Sequence, residues 1–427
     1  MNKKQRFLWI AVIAVVLTTF VPVWAAEETS RIERATVSGM TILLQKTASE
    51  IVETTLLLKS GSGLDPAGRH GVAEVMNWLV LLRLNSGDQR FNASVETYPD
   101  YTLIRFRSTA RNTDAVLTVV KELLSYPLYH YDMIIDLKGF LASEVKGSAG
   151  IQKSYSDFSR EFYGEDHPYN NALDSEAVLK ITGMDVYQWY RTTYQPGNAL
   201  LSISGGYRKN VSDIEKFYAG MRTQSVDHRL LVNEATIAKT RRVDRVDPNS
   251  RVSSVVVGYP APRIQSPDFP AFRMITYYLS EYMHYFEELR VKQGLFYTGD
   301  AYYNYLEKPN APNLAFYTFT HPTMLGKVET ETVKVVQDLV ANGISREVLA
   351  KIITAIKAEN EARKKDGRGL AYRNLLSFYL QTQLVYDDKL LPKLEQVTPE
   401  DVKRVAAKYF QNYIRVAYTP ETLEPNF

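Results

Sequence analysis

Gly71-Val72-Ala73-Glu74-Val75-Met76-Asn77-Trp78-Leu79 follows the turn-forming run Gly61-Ser62-Gly63-Leu64-Asp65-Pro66 and opens an apolar-periodic segment that reads as a helix to about Leu84. Glu74 and Trp78 are one helical turn apart, so they project from one face, as do His70 and Glu74. An indole N–H has no lone pair to offer a metal, and the neutral amide of Asn77 cannot take a proton from water. His70 with Glu74 reads as a polar pair near the helix start, not as a metal site.

Outward from that helix, Arg34 to Gln45 reads as two strands meeting at Gly39, and Val52 to Leu58 as a third. Phe91 to Glu96 and Tyr101 to Phe106 form a strand pair around Tyr98-Pro99-Asp100. Helices fit Asp114 to Ser125 and Tyr131 to Lys146. Thr182-Gly183-Met184-Asp185 caps a helix through Tyr194, which turns at Gln195-Pro196-Gly197-Asn198 into the strand Ala199 to Ser204. The stretch 224–250 is charged and lacks an apolar face, so it reads as a linker. The succession then recurs: a strand at Val252 to Gly258, helices at Phe269 to Tyr285, Val328 to Ala341 and Arg346 to Lys364. A second Thr-x-x-Asp cap at Thr398 to Asp401 opens a helix through Tyr409, ahead of the strand Ile414 to Tyr418. A period near 200 residues marks a domain duplication, not a solenoid. The fold class expected is α+β, with two homologous domains at 27–223 and 251–427. Each is a mostly antiparallel sheet with helices packed on one face.

Composition sets bounds. The 427 residues leave room for two or three domains, and 45% apolar with 23% charged residues is ordinary for a globular chain. A net charge of +3 without a Lys/Arg run gives no reason to expect nucleic acid. The 29 tyrosines suit protein contacts or packing, and their spread leaves both open. Lys3, Lys4 and Arg6 precede an apolar run from Phe7 to about Val21 and the small-residue site Trp24-Ala25-Ala26. That pattern is a secretory leader over 1–26, cut after Ala25 or Ala26, with an uncleaved anchor as the alternative. The run is short for a membrane span, and no later segment is long and apolar enough to cross one. A Gram-negative periplasmic location is expected, and the absence of cysteine removes any disulfide framework.

The 71–79 stretch resembles the zinc helix of the pitrilysin/insulinase-type metallopeptidases, the inverzincins, whose signature is H-x-x-E-H. Histidines at i and i+4 share a metal from one helix face, and the Glu at i+3 poises a water. Glu74 holds the first ligand position here, Asn77 the general-base position and Trp78 the second ligand position, so all three chemical groups are replaced. Ser143-Glu144-Val145 aligns with the acidic motif that supplies the third ligand, Glu144 standing at that position. The gap to it is short, as if a helix before Phe91 were missing. Asn92-Ala93 resembles the edge-strand motif that pairs with extended substrate by β-augmentation. His167, in Gly164-Glu165-Asp166-His167-Pro168-Tyr169, also resembles a family segment and reads as structural.

Glu287-Glu288-Leu289-Arg290-Val291-Lys292-Gln293-Gly294-Leu295-Phe296-Tyr297 resembles the family's L-R-E-x-x-G-L-A-Y segment. The resemblance implies that Arg290 and Tyr297 face a zinc site and hold the scissile region of a peptide. A guanidinium fork and a phenol can donate to a peptide carbonyl and to the oxyanion growing from it. It further implies a chain that binds no metal or cofactor of its own and is not hydrolytic alone. Such a chain would be the non-catalytic half of a periplasmic heterodimeric endopeptidase. Zinc would sit in a homologous partner subunit, and extended or unfolded peptides would be the substrates. A peptide-binding or scaffold protein of the same fold, with no part in catalysis, is the competing expectation.

Overall fold

The computed structural model describes residues 31–127, 132–147, 150–170, 173–223, 230, 232–366, 369–380 and 390–421, so the leader expected at 1–26 lies outside the described residues. In the N-terminal half the strands are β1 (Glu33–Val37), β2 (Met40–Lys46), β3 (Ile51–Leu58), β4 (Phe91–Thr97), β5 (Thr102–Thr109) and β6 (Ala199–Gly205). The helices there are α1 (Val72–Leu84), α2 (Thr113–Leu123), α3 (Asp132–Gly147), α4 (Ile151–Tyr163), α5 (Ser175–Lys180), α6 (Gly183–Thr193) and α7 (Val211–Tyr218). The sheet order is β1-β2-β6-β3-β5-β4, with β2 parallel to β6 and every other pair antiparallel. Ser38 and Gly39 both have positive φ (49° and 82°), the backbone a tight hairpin between β1 and β2 demands.

The C-terminal half has strands β7 (Arg241–Val246), β8 (Ser253–Pro260), β9 (Thr298–Tyr303), β10 (Asn313–Thr320) and β11 (Ile414–Thr419). Its helices are α8 (Phe269–Leu279), α9 (His284–Phe286), α10 (Leu325–Asn342), α11 (Arg346–Asp366), α12 (Leu370–Tyr379), α13 (Leu391–Glu395) and α14 (Pro399–Tyr409). The order β7-β11-β8-β10-β9, with β7 parallel to β11 and the rest antiparallel, repeats β2-β6-β3-β5-β4 strand for strand. Thr182 and Thr398 cap α6 and α14 with the same backbone angles (φ −101°, ψ 162° and φ −102°, ψ 162°). Both complete the reciprocal bond to an Asp three residues on. The duplication and the α+β class are as the sequence implies.

Two details correct it. The linker expected at 224–250 contains β7, the counterpart of β2. Its sequence Arg-Arg-Val-Asp-Arg-Val leaves almost every side chain exposed, so the edge strand carries no apolar face to read. The single helix expected over Phe269 to Tyr285 ends at Leu279. Met283 takes a left-handed φ of 60°, and the chain restarts through α9 into a π-helical turn at Glu287–Val291.

The halves also exchange a helix. Each sheet carries its own helices on one face, α1, α2 and α6 packing the first core and α8, α10 and α14 the second. The opposite face takes one helix from the other half: α4 lies on β8 and β11, and α12 on β2, β3 and β6. Phe158 of α4 is fully buried against Gly258, where an added Cβ would stand 2.1 Å from the ring, so only glycine admits this approach. Ser154 meets Ser254 at 2.5 Å, and Tyr418 donates to Asp157 at 2.8 Å. On the other sheet Asn374 donates to Gln45 at 2.7 Å, and the Arg34 guanidinium lies 4.6 Å from the Phe378 ring centre.

Candidate functional site

Helix α1 begins at Gly71, whose φ of 94° suits glycine, and Asp65 caps it: the carboxylate accepts from Gly71 N–H at 2.6 Å and Ala73 N–H at 3.1 Å. Burial pushes the Asp65 carboxyl up to about 7, against the pull of those two bonds. Val72, Ala73, Val75, Met76, Leu79 and Val80 fix the helix in the first core. Residues 85–90 then lead directly to β4, with no intervening helix.

The three motif positions are chemically spent. Asn77 is 3% exposed and its amide donates to the Thr97 and Thr102 hydroxyls at 2.8 and 3.1 Å, while its carbonyl accepts from Tyr194 at 2.6 Å. The Trp78 indole donates to Glu74 at 3.0 Å, so the residue at the second ligand position occupies the residue at the first. Trp78 also packs edge-on to Phe140, ring centres 6.0 Å apart. Glu144 is exposed near the end of α3, in a polar groove with Lys153, Asp157 and Arg160. His70 Nδ1 is enclosed without a hydrogen-bond partner among the described residues. Among the described residues no three His, Cys, Asp or Glu side chains gather where they could hold a metal. These residues do not fit the zinc that active relatives of the resembled family carry: an indole and a fully bonded amide stand where donors are needed.

Asn92 and Ala93 lie on β4, which ends the first sheet and pairs only with β5 among the described residues. Asn92 is exposed, on the face away from α1, whereas Ala93 is half-buried against the core. The outer edge of β4 presents unpaired backbone groups of the kind an extended chain can extend.

Arg290 and Tyr297 flank a turn held from beneath. Leu289, Leu295 and Phe296 are buried, and Leu295 N–H donates to Leu289 O at 2.9 Å. Gly294 adopts φ +66° and its N–H returns to Arg290 O at 3.0 Å, while Tyr297 N–H joins Phe319 O at 2.8 Å beside β10. The turn lifts both side chains outward: Arg290 is exposed and Tyr297 is 55% exposed. Their neighbours pair among themselves, Lys292 with Glu288 at 2.5 Å and Gln293 with Glu331 at 3.2 Å. Neither the Arg290 guanidinium nor the Tyr297 phenol has a side-chain partner among the described residues.

His167 is structural, as read: its Nδ1 accepts from Tyr169 N–H at 3.0 Å and its ring stacks on Tyr163. Burial, and then the Lys308 charge, lower its pKa. One buried cluster has no counterpart in the sequence reading. Lys308, from the β9–β10 connection, reaches Ser159 of α4 at 2.9 Å with its ammonium 4.4 Å from the Tyr163 ring centre. Asn310 donates to Asp100, in the β4–β5 turn, at 2.7 Å. Burial lowers the Lys308 amine to about 7 and raises the Asp100 carboxyl to about 6. The cluster joins the two halves through residues 210 positions apart, and no local pattern announces such a pairing.

Residues 180–356 match the family described as Peptidase M16 inactive domain, a segment that contains Arg290 and Tyr297 but not the Glu74–Trp78 stretch. No curated protein matches the chain. Among solved structures, a protease from Helicobacter pylori aligns with TM-score 0.80 and 18% identity over 92% of this chain and 100% of that one. A peptidase M16 inactive domain from Pseudomonas fluorescens aligns at 0.79 and 16% over 93% and 100%. The periplasmic protease PqqL from Escherichia coli aligns at 0.68 and 15% over 91% of this chain and 47% of that protein. The likeness shows a shared fold, and together with the family match it bears out the resemblance to pitrilysin-type peptidases. Among the described residues no helix is long and apolar enough to cross a membrane.

Proposed function

From the fold shared with the peptidase M16 inactive domain, we propose that this chain is the zinc-free subunit of a periplasmic two-subunit metalloendopeptidase. Arg290 and Tyr297 are presented to the metal site of a homologous, zinc-bearing partner, and an extended peptide lies between the subunits, with Asn92 and Ala93 on a strand edge open to it. One contrast carries this reading. The polar groups at the motif positions of α1 are bonded to one another and to the core, while the Arg290 guanidinium and the Tyr297 phenol face outward with no side-chain partner among the described residues. Leaving two strong donors unpaired on a braced turn makes sense where a substrate carbonyl completes them. In the partner's site the guanidinium and phenol orient the scissile carbonyl and stabilise the negative charge that develops on its oxygen.

Periplasmic placement rests on the leader-like run at 1–26 and accords with the periplasmic location of PqqL. The test is recovery of the chain from its native periplasm with whatever is bound, followed by assay of the complex and of the separated chain on an unstructured peptide. A complex that hydrolyses the peptide and stops on chelation, with an inert isolated chain, supports the proposal. Recovery without a metal-bearing partner and without hydrolysis supports the scaffold reading instead.

A further inference from the structure

Beside the open edge of β4 is a cavity of about 310 Å³ lined by Glu53, Asn92, Ser94, Arg105, Arg107 and Tyr372 among others. The pleat explains its make-up. In the antiparallel register Glu53, Arg107 and Asn92 stand in one cross-strand row, and Thr55, Arg105 and Ser94 in the next. Both rows lie on the face turned away from α1. On that face α12 from the other half packs mainly on β2, β3 and β6 and borders the cavity over β5 and β4 with Gly369 and Tyr372.

Most of the charge here is already used. Arg105 bonds Glu96 and lies 5.3 Å from the Tyr372 ring centre. Glu53 accepts from the Gly369 N–H at 2.6 Å, so the exchanged helix α12 engages, at its own start, the carboxylate cross-strand from Arg107. No ion pair joins Glu53 to Arg107 among the described residues. Arg107 is exposed, in a cavity, with no side-chain partner among the described residues. The two residues between it and the edge, Asn92 and Ser94, are short and neutral.

We infer that this cavity is an acid-selective side-chain pocket, in which Arg107 receives an Asp or Glu of an extended peptide paired to β4. The inference rests on the proposed strand addition and gives it a substrate class. A strand added beside β4 stands two strand spacings from β5, roughly 10 Å, and its alternate side chains fall in the rows of Arg107 and Arg105. An extended arginine and a glutamate together span that gap. A guanidinium fork matches a carboxylate in two parallel bonds, which a lysine or glutamine side chain on the peptide cannot reproduce.

The experiment uses the full mature chain and labelled ten-residue peptides of one sequence, carrying Glu, Gln or Lys at alternate positions. Binding is read by fluorescence anisotropy at two salt concentrations. The expected result is binding at least about tenfold tighter for the Glu peptide than for the Gln peptide, weakened by salt. Arg107→Ala and Arg107→Gln remove that preference while leaving Gln-peptide affinity and thermal unfolding unchanged, and Arg107→Glu turns the preference toward Lys. Backbone N-methylation of the Glu peptide abolishes binding. Equal affinity for Glu and Gln peptides, or a preference that persists in Arg107→Ala, overturns the acid pocket. If such binding is still lost on N-methylation, strand addition stands. No binding by any peptide overturns both.

Discussion

Two polar sites on this chain met opposite fates. On α1, Asn77 is enclosed by Thr97, Thr102 and Tyr194, and Trp78 holds Glu74. On the turn before β9, Arg290 and Tyr297 stand out from a buried base of Leu289, Leu295 and Phe296, and the guanidinium and phenol have no side-chain partner among the described residues. Groups that bond each other contribute to folding, and groups left open contribute to whatever binds. The first site should therefore respond to mutation in stability and the second in activity. A buried donor that loses its partner costs more than an exposed donor that never had one.

The contrast can be broken at several points. The largest stability effect is expected for Asn77→Ala, which removes three side-chain bonds, to Thr97, Thr102 and Tyr194, while Thr102 keeps its bond to Ser60 O: about 2–4 kcal/mol in urea unfolding, from roughly 1 kcal/mol per lost bond. A neutral result would mean that the amide is not the knot described. Next, Gly294→Ala forces a Cβ into left-handed backbone with no neighbour to clash, at about 1 kcal/mol of strain alone. A drop in assembled activity larger than that strain implies would sharpen the comparison, since it would report displacement of Arg290 and Tyr297. Trp78→Phe keeps the ring against Phe140 and removes the donor to Glu74, for about 1 kcal/mol. Arg290→Ala and Tyr297→Phe come last on this scale, within about 0.5 kcal/mol of wild type, because exposed groups without partners have little to lose.

Acidity offers an independent handle on the first site. Asp65 titrates from 3.8 in the unfolded chain to about 7 in the folded one, because burial disfavours its charge. Between those values the folded state binds the proton and the unfolded state does not, so stability falls as pH rises from about 4 to about 7 and levels off above. Asp100, raised by burial to about 6, adds a slope of the same sign. Asp65→Asn should flatten the profile in this window, measured as the urea midpoint against pH. An unchanged slope would mean that the cap is solvated.

Much of this was legible in the sequence. The α1 stretch, the β4–β5 hairpin and both Thr-x-x-Asp caps are local patterns, and local patterns survive translation into structure. So does the Arg290–Tyr297 segment, whose Gly294 takes the positive φ that the turn requires. What stayed hidden is long-range. The exchange of α4 and α12 depends on which sheet an apolar face meets, and Phe158 gives no sign that its partner is Gly258, 100 residues on in the other half. β7 was hidden by its charge, and the break at Met283 by a backbone angle that its side chain does not advertise. The Asn77 knot was half visible: the loss of the base could be read, but not the three hydroxyls that replaced its chemistry.

The most direct measurement is peptide turnover by a complex of this chain reconstituted with the zinc-bearing partner proposed above, comparing wild type with an Arg290→Ala, Tyr297→Phe double variant. Donors aimed at a developing oxyanion are worth about 10²–10³ in rate, so kcat should fall by at least that factor while assembly and the unfolding midpoint stay as in wild type. Turnover unchanged by the double substitution, in a complex shown to be intact, would contradict the claim that this chain supplies the gripping wall.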